Sequence, residues 1–381
     1  MAPLFIFLLA TFLVPIGAMM WRAFSDAEVA PVFPRTLAAL AQWDGQALPD
    51  ESAFAALAGD IRAARTAGTL AGAATRLNYD ASGYRSLLFA TARRLPPEGA
   101  GDLKTAILAT SPGWGERENW AALKRAGGPV TDLYLLGALD LRRDADGAIV
   151  GTHPDQAVFR TVLLRTLWIA GIVTLVCLLV GYPAAYLLAR LPDRLANPLL
   201  ILILVPFWTS LLVRTAAWVV LLQREGVINS LLVRSGLVDA PVPMIFNRFA
   251  VYVAMTHILL PFMILPLYSV MRSIPAAHLR AAASLGAPPA TVFRRVFLPQ
   301  TAAGVAAGSL LVFIQAIGYY VTPALVGGAE DQMISYFIAF YASRTINWGM
   351  AAALSILLVA ATAALLLVYR RLAGGGIPRL G

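Results

Sequence analysis

Six apolar stretches set the limits on what this chain can become: Pro3–Met20, Leu163–Leu187, Leu199–Leu222, Phe249–Met271, Ala302–Val326 and Gly349–Tyr369. Each is close to the roughly 20 residues that an α-helix needs to cross a hydrocarbon layer about 30 Å thick. Backbone inside lipid finds no water, so such runs are stable there as helices that satisfy their own N–H and C=O groups. The expected fold class is an all-α integral membrane protein with six transmembrane helices. Composition agrees. Of 381 residues 59% are hydrophobic and 13% charged, where soluble proteins have about half and about a quarter.

The net charge of +9 is unevenly placed. Residues 21–160 hold 15 basic and 16 acidic side chains, whereas the rest of the chain holds 15 arginines, no lysine and five acids. Nine arginines, Arg190, Arg194, Arg272, Arg280, Arg294, Arg295, Arg370, Arg371 and Arg379, fall between or after spans on one side of a six-span chain, against Asp193 alone. Basic short loops stay in the cytoplasm, so that side is expected to be cytoplasmic. The loops near Glu225–Arg248 and Gly327–Trp348 are then outside, with the segment that follows the first span. Arginines at helix ends near anionic lipid account for the basic character, and no nucleic-acid partner is implied.

The first stretch, Pro3–Met20, reads either as a retained helix or as a signal peptide, although it lacks the charged flank that such a peptide carries. That missing flank also points to a start upstream. From Trp21 to about Asp155 the chain changes to a soluble character. Asp50 is placed to cap a helix whose Phe54, Leu57, Ile61 and Ala64 share one face. Further helical pieces are expected near Tyr84–Arg94, Glu118–Arg125 and Asp132–Leu141, separated by Pro96-Pro97, Pro112-Gly113 and Gly127-Gly128-Pro129. The expected organisation is a first helix at 1–21, an insert at 22–157, a five-helix core at 158–371 and a tail at 372–381. The insert carries no catalytic constellation.

Between the fourth and fifth apolar stretches lies Pro275–Pro299, PAAHLRAAASLGAPPATVFRRVFLP. Ala276–Leu285 is rich in helix formers. Gly286 permits the left-handed turn that ends a helix, and Pro288 and Pro289 block its continuation. A second helix over Ala290–Phe297 would put Val292, Phe293, Val296 and Phe297 on one face. Leu279, Ala281, Ala282, Leu285, Gly286, Ala287 and the closing Leu298-Pro299 resemble the EAA loop in permease subunits of binding-protein-dependent ABC importers. The resemblance implies that this loop is a coupling helix seated in a groove of the ATPase subunit, with Arg280 and Arg294 on it. Arg280 stands where the motif has Glu, so any salt bridge made by that Glu is altered here.

The run Pro206–Leu232, Pro183 before Ala184-Ala185, Ile258–Pro266, Thr322–Gly328 and Asp331–Ile334 resemble the spermidine/putrescine branch of that family. The resemblance implies an inner-membrane permease with a mainly helical periplasmic insert. It would work with two ATPase copies, a second permease subunit and a periplasmic solute-binding protein. The implied solute is a polyamine, with an opine or another amino-acid derivative as the alternative. Arg214 is the one charge well inside an apolar run, and leaving it in lipid costs at least ~2.5 kcal/mol. It reads as a pathway residue or as a residue that snorkels to the outer headgroups. Gln315, Tyr319 and Tyr320 offer polar tips in the fifth span, with Gln315 and Tyr319 four apart on one helix face. They suit a solute path or interhelical hydrogen bonds.

The Gly304/Gly308 pair suits close helix packing, and Trp208 and Trp218 suit interface anchoring or solute contact. Other classes are poorly served. The spans carry no carboxylate for an ion-coupled transporter. Lys104 and Lys124 lie outside any phosphate-binding loop. Cys177, His153, His257 and His278 are too scattered for a metal or catalytic cluster, and no cofactor is implied.

Overall fold

The computed structural model describes residues 2–97 and 102–372. Most of them are helical, and the few strand residues form one hairpin, Leu141–Arg143 against Ile149–Gly151. Residues 373–381, with Arg379 and nearly all of the expected tail, lie outside the described residues. The chain divides into two compact units, one from Met1–Arg160 with Phe340–Leu357 and one from Thr161–Ala339 with the residues from Leu358 onward.

In the first unit, the apolar helix Pro3–Trp21 precedes a helical body with its own core. Asp50 caps Glu51–Ala67 by accepting the Ala53 amide at 3.2 Å. Phe54, Leu57, Ile61 and Ala64 are buried on that helix's inner face. Trp120 packs edge-on to Phe54 and beside Trp114, with centroids 4.7 and 4.9 Å apart. Buried aromatic rings stay stable when their polar tips are satisfied. Here Trp114 Nε1 donates to Thr91 Oγ1, Trp120 Nε1 to the Trp114 carbonyl and Tyr84 Oη to the Asn119 carbonyl. The helix expected over Asp132–Leu141 is shorter, Leu133–Ala138. Asp140 leaves it at φ +54° and caps the long helix Phe159–Arg190, accepting the Phe159 and Arg160 amides at 2.9 and 2.8 Å.

The second unit is also helical, while the first unit holds Pro3–Trp21 and the start of Trp348–Leu367. Five helices among the described residues are long and apolar enough to cross a membrane: Pro3–Trp21, Phe159–Arg190, Leu211–Arg234, Arg248–Ser273 and Trp348–Leu367. A sixth span results if Pro289–Gln300 and Ala302–Gly318, bent by 56°, count as one. Gly304 and Gly308 let Ala302–Gly318 approach Arg248–Ser273 closely. A Cβ on Gly308 would meet Met263 Sδ at 2.8 Å, and one on Gly304 would meet Val270 Cβ at 3.1 Å.

Two expected spans are broken. Leu199–Leu222 does not form one helix, because Asp193–Leu204 gives way to a tight turn over Val205–Trp208 before Leu211–Leu222 begins. Pro206 cannot donate the hydrogen bond that a continuous helix requires there. Ala302–Val326 likewise ends at Gly318 and resumes as the short helix Val321–Val326. Thr322 and Pro323 lie in the first turn of that second piece, where proline's missing N–H is harmless.

Candidate functional site

The Pro275–Pro299 loop folds as two short helical pieces around a sharp bend. The first is Ala276–Ser284, and the second begins at Pro289 and ends in a wider π turn over Phe293–Phe297, not as the regular Ala290–Phe297 helix expected. Gly286 sits at φ +83°, in the left-handed region that other residues enter at a cost. The Ala287 amide returns to the Ala282 carbonyl at 3.2 Å, closing the helix end. Leu285 projects at the bend with 89% of its surface exposed. Arg280, Ala281, Arg294 and Arg295 are exposed as well, while Leu279, Ala282 and Ala287 are half-buried. The two pieces are braced by a 3.0 Å hydrogen bond between His278 Nδ1 and Gln300 Oε1.

The inner side of the loop is fastened to the helix Phe159–Arg190. Tyr182 and Tyr186, one turn apart, meet it at successive points. Tyr182 Oη lies 3.0 Å from Thr301 Oγ1, at the bend between Pro289–Gln300 and Ala302–Gly318. Tyr186 meets Phe293 and Phe297 edge-on, at 5.6 and 5.2 Å. Its ring also carries the Arg190 guanidinium, 4.2 Å from the centroid. Arg272, at the end of Arg248–Ser273, donates to the Ala189 and Leu191 carbonyls and pairs with Asp193. Packed rings and hydrogen bonds thus connect the loop and the bend after it to the helix Phe159–Arg190, and Arg272 to the residues at that helix's end.

Deeper in the bundle, Arg214 lies on Leu211–Leu222 with its Nε buried and without a hydrogen-bond partner. It is within electrostatic range of His257 and Tyr319. Trp218, one turn beyond Arg214, donates from Nε1 to His257 Nδ1 at 3.3 Å. The neighbouring Thr215 is fully buried and shares a 3.1 Å hydroxyl–hydroxyl bond with Thr322. That bond ties Arg214's helix to the short helix Val321–Val326. Gln315 is exposed on Ala302–Gly318, and Tyr320 is 44% exposed. Tyr319 is not one helical turn beyond Gln315, because it caps the helix in an extended conformation with ψ 132°. The expected Gln315/Tyr319 face is thus replaced by an Arg214, Trp218, His257 and Tyr319 group.

Residues 162–378 match the family described as the inner membrane component of binding-protein-dependent transport systems. The chain belongs to this family. It is a multi-pass permease subunit of a bacterial ABC importer, and not an enzyme. The spermidine/putrescine transport system permease protein PotB of Escherichia coli (strain K12) is 40% identical over 250 residues, covering 64% of this chain and 90% of that protein. The molybdenum transport system permease protein ModB of Mycobacterium bovis is 32% identical over 251 residues, covering 65% and 92%. A bacterial ABC transporter that imports the polysaccharide alginate, known from a crystal structure, is 17% identical with a TM-score of 0.49, covering 56% of this chain and 78% of that one.

Tertiary contacts also bring in His257. In sequence, His257 is one of three scattered histidines and signals nothing. Its role as the partner of Trp218 appears only when Leu211–Leu222 is laid beside Arg248–Ser273.

Proposed function

We propose that this permease forms one half of the membrane pathway of a polyamine importer and takes its power stroke through the Pro275–Pro299 loop. The observation that carries the coupling role is the bend itself: Gly286 at φ +83°, with Leu285 89% exposed beside it. An exposed leucine at a fixed bend, on a loop that carries arginines and no acid, is suited to a groove on a partner. In this reading the partner is one of two ATPase subunits. Closure of the ATPases on ATP shifts the loop, Tyr182 and Tyr186 pass the shift to the bundle, and the pathway changes the side to which it opens. A second permease subunit completes the pathway, and a periplasmic binding protein delivers solute to it.

The polyamine assignment is supported by the 40% identity to a permease named for spermidine and putrescine. One observation favours a second solute class. Arg214 presents a buried, unpartnered Nε beside His257 and Tyr319, and a cation there suits the carboxylate of an opine or amino-acid derivative. Uptake of radiolabelled putrescine and of a labelled opine by the reconstituted importer separates the two.

The coupling role is tested with Gly286→Val. A β-branched residue at this φ is strained by about 1–2 kcal/mol, while its Cβ would meet nothing within 4 Å. The variant should insert normally yet lose solute-stimulated ATP hydrolysis. Wild-type stimulation and uptake in Gly286→Val would overturn the coupling assignment.

A further inference from the structure

The first unit contains a pocket of about 420 Å³ that the transport reading does not use. Its walls come from four places in the chain. Arg22 and Glu28 follow the helix Pro3–Trp21, and Gly72 and Tyr79 lie on the helix Leu70–Asp80. Tyr134 belongs to Leu133–Ala138, and Trp348 opens the last spanning helix. The lining thus includes Arg22, just past the end of one apolar span, and Trp348, at the start of another. Tryptophans at such positions mark the headgroup level of a bilayer, and Trp21 and Trp348 both occupy them.

The pocket's chemistry is two-signed. Among the described residues, neither Arg22 nor Glu28 has an ion-pair partner, and they do not pair with each other. Opposite charges facing one pocket without joining leave room for a ligand that carries both. Glu28 acts electrostatically on both Tyr79 and Tyr134. Burial raises each phenol above its ordinary pKa and Glu28 adds to that, with Arg76 opposing, so both stay protonated. Three ring systems beside a carboxylate make a favourable setting for an ammonium group.

The walls are built to keep this space open. Gly72 sits inside a helix, where glycine is a poor helix former, and a Cβ on it would meet nothing within 4 Å. Gly349 has no such freedom: a Cβ there would lie 2.4 Å from the Tyr134 ring, so that ring stands directly against backbone. Ile346, also on the wall, is held at φ +54° and is 68% exposed, an uncommon state for a β-branched residue. Strain of this kind collects at ligand-holding sites.

We infer that this pocket binds the headgroup of a zwitterionic phospholipid, with phosphate toward Arg22 and the primary ammonium of ethanolamine toward Glu28, Tyr79, Tyr134 and Trp348. Ethanolamine is preferred to choline because its ammonium donates hydrogen bonds that a carboxylate accepts. Bound there, the lipid would join the insert to the outer ends of the first and last spans. The inference goes beyond the transport reading and does not depend on the solute.

The test uses the full-length chain in nanodiscs of phosphatidylglycerol with a minority of phosphatidylethanolamine, read by native mass spectrometry. Wild-type protein should retain phosphatidylethanolamine over phosphatidylglycerol. Glu28→Gln should lower that preference about tenfold, the scale of one charge-assisted hydrogen bond, and Gly72→Leu, whose Cβ meets nothing within 4 Å and whose side chain takes up part of the space, should lower it as well. Arg22→Gln should weaken retention as well. A free zwitterion is distinguished by titrating O-phosphoethanolamine into the chain in discs of phosphatidylglycerol alone. Heat that vanishes in Glu28→Gln assigns the pocket to a soluble ligand, and absence of heat with lipid retention intact assigns it to lipid. Equal retention in wild type and both pocket variants, with no titration heat, overturns the inference.

Discussion

Tyr186 and Phe297 meet edge to face, ring centroids 5.2 Å apart at an interplanar angle of 78°. One ring belongs to the helix Phe159–Arg190 and the other to the π turn that ends the loop, and Phe297 is only 5% exposed. Motion of the loop cannot occur without Tyr186 moving or the rings parting, since packed interiors shift between discrete arrangements and do not stretch.

Phe297→Ala should therefore separate assembly from coupling. It removes an aromatic pair worth about 0.5–1.5 kcal/mol beyond its area and leaves a cavity, for a total of roughly 3–5 kcal/mol. Phe297→Leu fills most of the space and should lose less. The measurement is ATP-driven uptake per complex, alongside recovery of the ATPase with the permease. Uptake equal to wild type in Phe297→Ala would show that the contact transmits nothing.

Arg214 is expected to respond to charge more than to size. Arg214→Gln keeps a donor near His257 and Tyr319 but removes the charge, and the Thr215–Thr322 bond beside it should keep the helix in place. Loss of one charge-assisted hydrogen bond to solute should raise the transport KM by about tenfold with little change in recovered complex. Arg214→Leu should also lower the yield. If Arg214→Gln lowers yield while KM and solute preference stay fixed, the residue is structural.

Membrane sidedness is open to a cysteine test, because the native Cys177 is fully buried. Ala240 and Ala290 are both exposed. Cysteine at 240 should react with an impermeant thiol reagent in cells with a permeable outer membrane. Cysteine at 290 should react only once the inner membrane is opened. Labelling at 290 from outside would refute the orientation drawn from the arginines. Ala100, another natural reporter for the insert, lies outside the described residues.

Acid should loosen the insert at a definite place. Hydrogen bonds from Ser52 and then from the Ala53 amide hold the Asp50 carboxyl below its ordinary pKa. Its stabilising effect on Glu51–Ala67 is thus present above the usual carboxylate pKa near 4 and is lost as pH falls through the depressed value. Hydrogen exchange at Ala53, corrected for intrinsic rate, should lose protection at the acid end. In Asp50→Asn, which caps without titrating, the profile should be flat. A parallel acid loss in both proteins would place the effect elsewhere.

What the sequence determined by itself follows from short-range rules. Length and hydropathy make apolar runs into helices in lipid, and Gly286 before two prolines ends a helix wherever it occurs. Asp50 ahead of Phe54, Leu57 and Ile61 caps an amphipathic helix by local hydrogen bonding. Even the family was legible, because the loop's residue order is a local pattern. Tertiary structure decided the rest. Whether Leu199–Leu222 runs unbroken is not fixed by Pro206 alone, since Pro183, Pro261 and Pro266 sit inside continuous helices. Tyr319 left its expected face because Ala302–Gly318 stops one residue earlier and Tyr319 continues in an extended conformation. His257 gained Trp218, and Arg22 came to share a pocket with Glu28, Tyr79 and Trp348, through contacts between residues up to hundreds of positions apart. Such contacts are set by how helices pack, and no spacing along the chain encodes them.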